Sequence, residues 1–515
     1  MSVRFEVSTL GAKVAGDLAA SARAQQGRKP DARVAAALLA EGAAAAPRDL
    51  LMQGGALAVT TGQQAGLFTG PLYGVLKGLS AAALAAELTA RGTPHVPVFW
   101  VAGDDHDFTE INHCTVIGKD GRPARIVLRE RPQGAPMLPA YRETIGEDGR
   151  RALAELEAQL PESDFRTDAL AWLARAYKPG TNLAEAYARA LAELLGPFGV
   201  VVARGWDGAL KAVAAPVLLG AARKAAELDR ALATQAERLK QAGAEVPVEV
   251  GQGLSLLMVE TAEGRDRLKI ASGDRFETRR GGHAVSLKDI EQSIAGSPEK
   301  ISGNVLLRPA VEAAVFPTVA YFGGPGELAY LAQTGPVFEL LSVPRPARLP
   351  RLSGFLVEAK VDKVLERYGL APADFAAPEG ALVSRLVREQ LPAEAATALA
   401  ALRASVTERY AALQAEAAKL DSTLEKPVEN ARNQALVASH EIEKKLVAAL
   451  KRASETTVQQ VTRARDQLYP GGVPQERVIT TASFLSRHGR DLLGQLFEAA
   501  RAHAKRLLEG TTRGV

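Results

Sequence analysis

Short apolar runs alternate with longer stretches of helical period over the part of the chain before residue 380. Ala56 to Thr60, Val96 to Val101 and Gly199 to Ala203 are nearly continuous apolar runs of strand length, as strands buried on both faces require. Leu72, Val75, Leu76, Leu79, Ala83 and Leu84 follow the first run at helical spacing, and a helix follows the third from about Ala209. Ser255 to Val259 and Val305 to Leu307 read as further strands. Roughly Gly149 to Leu195 carries alanine, leucine and glutamate at helical spacing and reads as a helical insert. Strands alternating with helices predict an α/β fold with a parallel sheet, whose strand-end loops gather at the carboxyl edge where ligands bind.

From about Leu391 to Leu468 the pattern changes. Leu399, Leu402, Val406, Tyr410, Leu413, Ala417, Leu420 and Leu424 recur every three or four residues. After Glu425-Lys-Pro427 a second series runs through Ala435, Ala438, Ile442, Leu446, Ala449, Ala453, Thr457, Val461, Ala464 and Leu468. Near-heptad spacing on two helices with a break between them predicts an antiparallel hairpin. Glycine is absent between Gly380 and Gly471, as long helices favour. Alanine at many seam positions buries little area per residue, so the hairpin calls for a partner, a second subunit's arm or the core. The organisation expected is a core over 1–379 with its helical insert around 149–195, a coiled-coil arm over 380–468, and a segment over 469–515 that returns to the core.

Two strand ends carry candidate chemistry. The first run leads into Gly62, Gly66 and Gly70, where the chain can turn or approach a ligand closely, and Pro71 suits the first turn of a helix. Thr69 or Gly70 would cap that helix, whose N–H groups and dipole favour an anion; Gln63, Gln64, Thr69 and Tyr73 add neutral hydrogen-bonding groups. No Gly-Lys-Ser/Thr follows, so this is not a P-loop, and an ordinary strand–turn–helix connection explains the same residues. The second run ends at Gly103 and is followed by Asp104, Asp105, His106 and Asp107, then Glu110 and His113. Carboxylates crowded around a histidine would raise some pKa values and supply a general base near neutral pH. The plainer reading is capping and solvation. A metal set of His106, His113 and an Asp is a third, although the H-E-x-x-H and C-x-x-C spacings are absent. Cys114 neighbours His113 but would face the other way on a strand. Further on, Tyr321-Phe-Gly-Gly-Pro-Gly-Glu-Leu-Ala-Tyr330 is a second glycine-rich turn opening a helix, with Glu327 in its first turn and Asn304 and Arg308 just upstream.

These segments carry a resemblance. Thr61-Gly-Gln-Gln-Ala-Gly-Leu-Phe-Thr-Gly-Pro-Leu-Tyr73, Val98-Phe-Trp-Val-Ala-Gly-Asp-Asp-His-Asp-Phe-Thr-Glu-Ile-Asn-His113, Ser302-Gly-Asn-Val-Leu-Leu-Arg-Pro309, Ala320 to Tyr330 and Pro474-Gln-Glu-Arg-Val478 occur in one order across nearly the whole chain. The chain resembles the BshC family, the cysteine-adding ligases of bacillithiol biosynthesis. The resemblance implies a Rossmann-like core with inserted connecting segments, plus a long C-terminal α-helical coiled-coil arm that pairs two subunits. It also implies joining the carboxyl of cysteine to the amine of glucosaminyl malate. On that basis Asp105, His106, Asp107 and His113 are the catalytic candidates, with Asp105 and His106 deprotonating the amine. Gln63, Gln64, Thr69, Gly70, Tyr73, Asn112, Asn304, Arg308, Gly323, Gly324, Glu327 and Tyr330 are the substrate-binding candidates, with Glu327 and Asn304 taking the cysteine ammonium or sugar hydroxyls. Gly134 to Glu185 and the stretch around Gly251 to Arg265 show no clear family signature.

Composition narrows the alternatives. A chain of 515 residues accommodates two or three structural units. A net charge of +4, without Lys/Arg clusters interleaved with aromatics, gives nucleic-acid binding little support. The opening Met-Ser-Val-Arg-Phe-Glu lacks the basic start and apolar run of a signal peptide, and no segment approaches 18 consecutive apolar residues. The single cysteine excludes an internal disulfide and suits a reducing compartment, so a cytoplasmic location is expected. Amide formation from a free carboxylate needs activation. The expected cosubstrate is ATP, with no tightly bound cofactor and no metal. A metal-dependent hydrolase using Asp104 to His113 and a non-catalytic coiled-coil scaffold are the competing classes.

Overall fold

The computed structural model describes residues 3–8 and 14–512, the side chains of 510–512 excepted; Met1 and Ser2 of the opening segment and the last three residues of the C-terminal segment lie outside. The chain forms two compact units, Met1–Leu356 with Gln475–Val515, and Val357–Pro474.

The first unit is built on a six-stranded sheet: β1 (Leu38–Leu39), β2 (Leu57–Gln64), β3 (His95–Ala102), β4 (Val201–Arg204), β5 (Thr318–Gly323) and β6 (Ala347–Pro350), in the spatial order β6-β5-β2-β3-β4-β1. All neighbours are parallel except β1, which runs antiparallel to β4 at the edge. The five parallel strands thus have doubly wound order, and the direction of winding switches between β2 and β5. Alternate side chains enter separate cores on the two faces. Val59, Phe99, Val101, Val202 and Phe322 belong to one, and Ala58, Val98, Trp100, Val201 and Ala203 to the other. That two-sided burial is why these strands read as unbroken apolar runs.

Helix α1 (Tyr73–Thr89) is buried on nearly every face, because it lies between the sheet and the C-terminal helix Asp491–Thr512. The expected helical insert is present as Glu147–Gln159, Arg166–Ala176 and α2 (Leu183–Leu195). An antiparallel sheet of five strands is inserted between β4 and β5, with Leu254–Thr261, Gly264–Ile270 and Ile301–Gly303 at its centre and one edge.

Three local expectations change. Strand β2 runs on through Gly62 to Gln64, pairing with Trp100, Val101 and Ala102. Gly62 is needed there for close approach, since a Cβ would lie 2.8 Å from the Trp100 carbonyl oxygen. Pro71 does not open α1, which starts at Tyr73; it bridges instead to Thr480. Val305 to Leu307 is a turn and not a strand. Asn304 Oδ1 accepts the Leu306 and Leu307 N–H groups, 3.1 Å each, and so leads into helix α3 (Arg308–Val315).

In the second unit Ala393–Leu420 packs on Glu425–Ala453, and Glu455–Leu468 follows after a break at Ser454. The hairpin turn lies at Asp421–Leu424, and Pro427 falls in the first turn of the second helix, where its missing N–H costs nothing. The unit begins at Val357, ahead of residue 380, because Tyr368 bonds to Thr457 and Gln460, and Arg465 to the Phe375 and Ala377 carbonyls. Leu399, Ala417 and Val447 are buried, whereas Leu413 is 54% and Leu420 84% exposed. The two helices close only part of their own apolar seam.

Candidate active site

A cavity of about 620 Å³ opens at the switch point, lined by Gly62 to Gln64 from β2, Asp104 and Asp105 after β3, and Tyr321, Gly324 and Glu327 at the end of β5. This is where an open doubly wound sheet leaves a crevice between diverging connections. One wall is the loop after β2, where Phe68, Thr69 and Gly70 all have positive φ (49°, 68° and 59°). Tyr177 holds this strained turn, accepting from the Thr69 N–H and donating to the Gly66 carbonyl, both at 2.8 Å. Thr480 donates to the Phe68 carbonyl at 2.8 Å. Backbone strain of this kind persists only where the surroundings over-determine it.

The acid–histidine cluster is sorted by its partners. Gln64 donates to Asp105 at 2.6 Å and to Glu110 at 2.9 Å. Burial opposes ionisation of Asp105, but the Arg265 guanidinium and hydrogen bonds from the Asp107 N–H and Gln64 outweigh it and hold the carboxyl below its usual range. Asp104 pairs with the buried Lys211 at 2.5 Å. His106 turns its Nδ1 to Arg265 Nη1 at 3.3 Å. Burial, then the Arg265 charge, push His106 down to about 4. At Asp105 the expected upward shift is therefore reversed, because Arg265 and the hydrogen-bond donors outweigh burial. Asp107 is exposed and accepts from Thr109 at 2.7 Å, so it stands apart from the cavity.

His113 does line the cavity. Asn112 is buried and donates Nδ2 to the Arg129 carbonyl at 2.8 Å, which leaves its Oδ1 facing His113 Nδ1 at 3.1 Å. The His113 proton is thereby placed on Nδ1 and the lone pair on Nε2. Burial, with Arg125 adding to it, lowers the His113 pKa against the opposing Thr109 carbonyl and Glu130, so the ring is neutral at pH 7. Asn112 thus supports His113 from outside the cavity lining. Cys114 is buried, and burial raises its thiol far above the usual range, which leaves it unreactive.

The opposite side of the cavity rests on a chain of buried polar groups. Arg308 pairs with Glu312 at 2.6 Å and donates to Tyr321 at 3.1 Å; Tyr321 donates to Glu327 at 3.0 Å. Glu327 pairs with Lys77 at 2.5 Å and accepts the Gly324 N–H at 2.9 Å at the start of helix α4 (Pro325–Gln333). Lys77 is 1% exposed, and burial lowers it to about 8 against the pull of Glu327, so it stays charged at pH 7. Glu327 and Asn304 are engaged in these internal bonds, which leaves little of either for an ammonium group.

Of the sequence candidates, Gln63, Gln64, Thr69, Gly70, Tyr73, Asp105, His113, Asn304, Arg308, Gly324, Glu327 and Tyr330 line the one cavity, while His106, Asp107, Asn112 and Gly323 do not. Gly323 is within β5, its carbonyl accepting the Arg351 N–H. Sequence reasoning missed Lys77, Tyr187, Lys211, Arg265 and Arg351. Lys77 and Lys211 left a signal, each the single charge in its stretch, Tyr73 to Ala86 and Gly208 to Leu219. Among the described residues no three His, Cys, Asp or Glu side chains converge as metal ligands would, so the hydrolase reading lacks a donor set. No helix among the described residues is long and apolar enough to cross a membrane.

His106 also sets a pH dependence. Its pKa lies near 4 in the folded chain against an ordinary 6.5, so on acidification the unfolded chain takes up this proton first. Stability from this group is full above pH 6.5 and is lost progressively down to about pH 4. Thermal midpoints measured across that window should fall with pH, and His106→Asn should flatten the slope.

Fold and site together define a doubly wound α/β protein with a two-sided polar cleft at its switch point, carrying a separate helical-hairpin unit. Residues 35–352 match the N-terminal Rossmann-like domain of bacillithiol biosynthesis BshC, and residues 354–507 match its C-terminal coiled-coil domain. The chain belongs to the BshC family. Among its relatives is a protein of Koribacter versatilis, 33% identical over 481 residues, covering 92% of this chain and 88% of that protein. A protein of Solibacter usitatus is 30% identical over 453 residues, covering 87% and 83%, and one of Salinibacter ruber is 32% identical over 458 residues, covering 86% and 81%. Each bears the name "Putative cysteine ligase BshC".

Proposed function

We propose that this chain is a ligase that joins the carboxyl of L-cysteine to the amine of glucosaminyl malate, the last step in forming bacillithiol. The names of its relatives support the reaction class. The observation that carries the reading is the division of charge within one cavity. Asp105 and Glu110, both bonded to the neutral Gln64 amide, present carboxylates on the β3 side, and Arg477 presents a guanidinium group elsewhere on the lining. Both reactants carry an amine and carboxyl groups, and a cleft with both signs of charge can orient them.

His113 is the base best matched to the task. It is neutral at pH 7, lines the cleft and is oriented by Asn112, so Nε2 can take the proton that the attacking amine must lose. The carboxyl is activated by ATP, used as a cosubstrate. The reaction is cytoplasmic, and two copies pair through the apolar seam that the hairpin leaves open. Purified protein incubated with cysteine, glucosaminyl malate and ATP should yield an amide product of the combined mass less water. Omitting any one component should abolish it. Absence of product with all three present, in a folded protein, would overturn the reaction.

A further inference from the structure

Among the phenols on the cavity lining, Tyr73 and Tyr187 have hydroxyl hydrogens with no acceptor among the described residues, and the direction of one of them can be derived. Lys77 is a donor only, and its three N–H bonds have three acceptors: the Gly62 carbonyl at 2.7 Å, Gln63 Oε1 at 2.9 Å and Glu327 at 2.5 Å. The amide of Gln63 therefore has its oxygen toward Lys77 and its nitrogen toward Tyr73, where Nε2 donates to the hydroxyl oxygen at 2.7 Å. With that oxygen already an acceptor, the Tyr73 hydrogen must point elsewhere, and Tyr73 faces the cavity. Burial, reinforced by Glu327, raises this phenol to about 12, so it keeps its proton.

Tyr187, on α2, provides the second hydroxyl. It is 1% exposed, its oxygen has no hydrogen-bond partner among the described residues, and it lines the same cavity. The hydroxyl stands over Gly74, the residue next to Tyr73: a Cβ there would be 3.3 Å from it. A buried phenol without a partner is costly, and both hydroxyls belong to residues of one cavity lining.

We propose that Tyr73 and Tyr187 form an oxyanion-binding pair, donating hydrogen bonds to the carbonyl oxygen of the activated carboxyl as the amine attacks. The assignment rests on the amide-forming reading above. The amine lone pair forms the new C–N bond while the carbonyl π pair moves onto oxygen, where the two hydroxyls receive it. That pair then re-forms the carbonyl as the bond from the same carbon to the oxygen of a phosphate leaving group, derived from the nucleoside triphosphate, breaks and its electrons leave on that oxygen. The extra proton on nitrogen passes to the base. Neither phenol is ionised at any point, and Lys77 with Gln63 acts by positioning the Tyr73 hydrogen.

Three variants test the pair. Tyr73→Phe and Tyr187→Phe should each lower kcat on the order of 10²–10³-fold, with KM within about threefold. Gln63→Glu is the orientation test. A carboxylate at 63 accepts from both Lys77 and Tyr73, drawing the phenol hydrogen inward, so kcat should fall at least tenfold with Tyr73 retained. A merely structural tyrosine would instead show altered melting with unchanged kcat. Normal kcat in folded Tyr73→Phe, Tyr187→Phe or Gln63→Glu protein would overturn the pair. A second arm does not need the ligation: inorganic phosphate, a tetrahedral oxyanion, is titrated by calorimetry. The wild-type chain should bind it, and Tyr73→Phe and Gln63→Glu should each weaken it at least fivefold. Equal binding in all three, or none in the wild type, would overturn the pair. No amide product alongside phosphate binding that depends on Tyr73 would instead overturn only the reaction.

Discussion

His113→Ala is expected to lower amide formation by on the order of 10²–10⁴-fold, the usual contribution of a positioned general base. The side chain is half-exposed at the cavity wall, so the thermal midpoint should move little. Asn112→Ala should reproduce part of the loss, since Asn112 places the His113 proton on Nδ1. The two losses combined should fall well short of additive, because a base and its orienting partner act as one unit. The sign of the pH dependence follows from the lowered His113 pKa. Nε2 is free at neutral pH, and turnover should decline on acidification as the ring gains its proton. Single-turnover kinetics with product read by mass would check both points. Near-normal turnover in folded His113→Ala protein would move the base elsewhere in the cleft. His106→Ala is the control that separates the two histidines, since His106 is already a weak base held against Arg265.

Arg351→Met should destabilise the first unit by about 3–5 kcal/mol, the cost of breaking a buried ion pair. Arg351 and Glu476 are 1% and 2% exposed and lie 2.6 Å apart. Glu476 would keep its bonds from Ser353 at 2.9 Å and the Gly354 N–H at 3.2 Å, but its charge would be buried without a counter-ion. Removing the charge as well, in Arg351→Met with Glu476→Gln, should recover part of the loss. Urea unfolding followed by tryptophan fluorescence would read the first unit, since Trp100, Trp172 and Trp206 all lie within it. A loss below about 1 kcal/mol would mean that water or a neighbouring cation replaces the pair.

The places where sequence reading held and failed differ in kind. The strands around Val98 and Val202 and the hairpin between Leu399 and Leu468 were legible, because burial on two faces or along one seam imposes a local period on the residues. The catalytic ranking within Asp104 to His113 was not. Crowding was expected to raise some pKa values in the cluster, whereas Asp105 is held down by Arg265, which lies in a stretch without recognisable signature. Glu327 read as a ligand for substrate, and its ion-pair partner, Lys77, left no sign in that motif. Tyr187 sat among alanines and leucines of an amphipathic helix, where an aromatic reads as core.

By itself the sequence determined the α/β class, the separate helical hairpin, the family, and the two loops that meet at the sheet's carboxyl edge. These follow from apolar periodicity, glycine placement and contiguous motifs, all properties of neighbours along the chain. Only the tertiary structure decided which polar side chains face the cleft and which are consumed by partners. Lys77 finds Glu327, Asp104 finds Lys211, His106 finds Arg265 and Arg351 finds Glu476 across separations that no local pattern encodes. The physical reason is that a buried charge or hydroxyl takes its protonation state and direction from the groups packed against it, and packing brings those groups from distant segments.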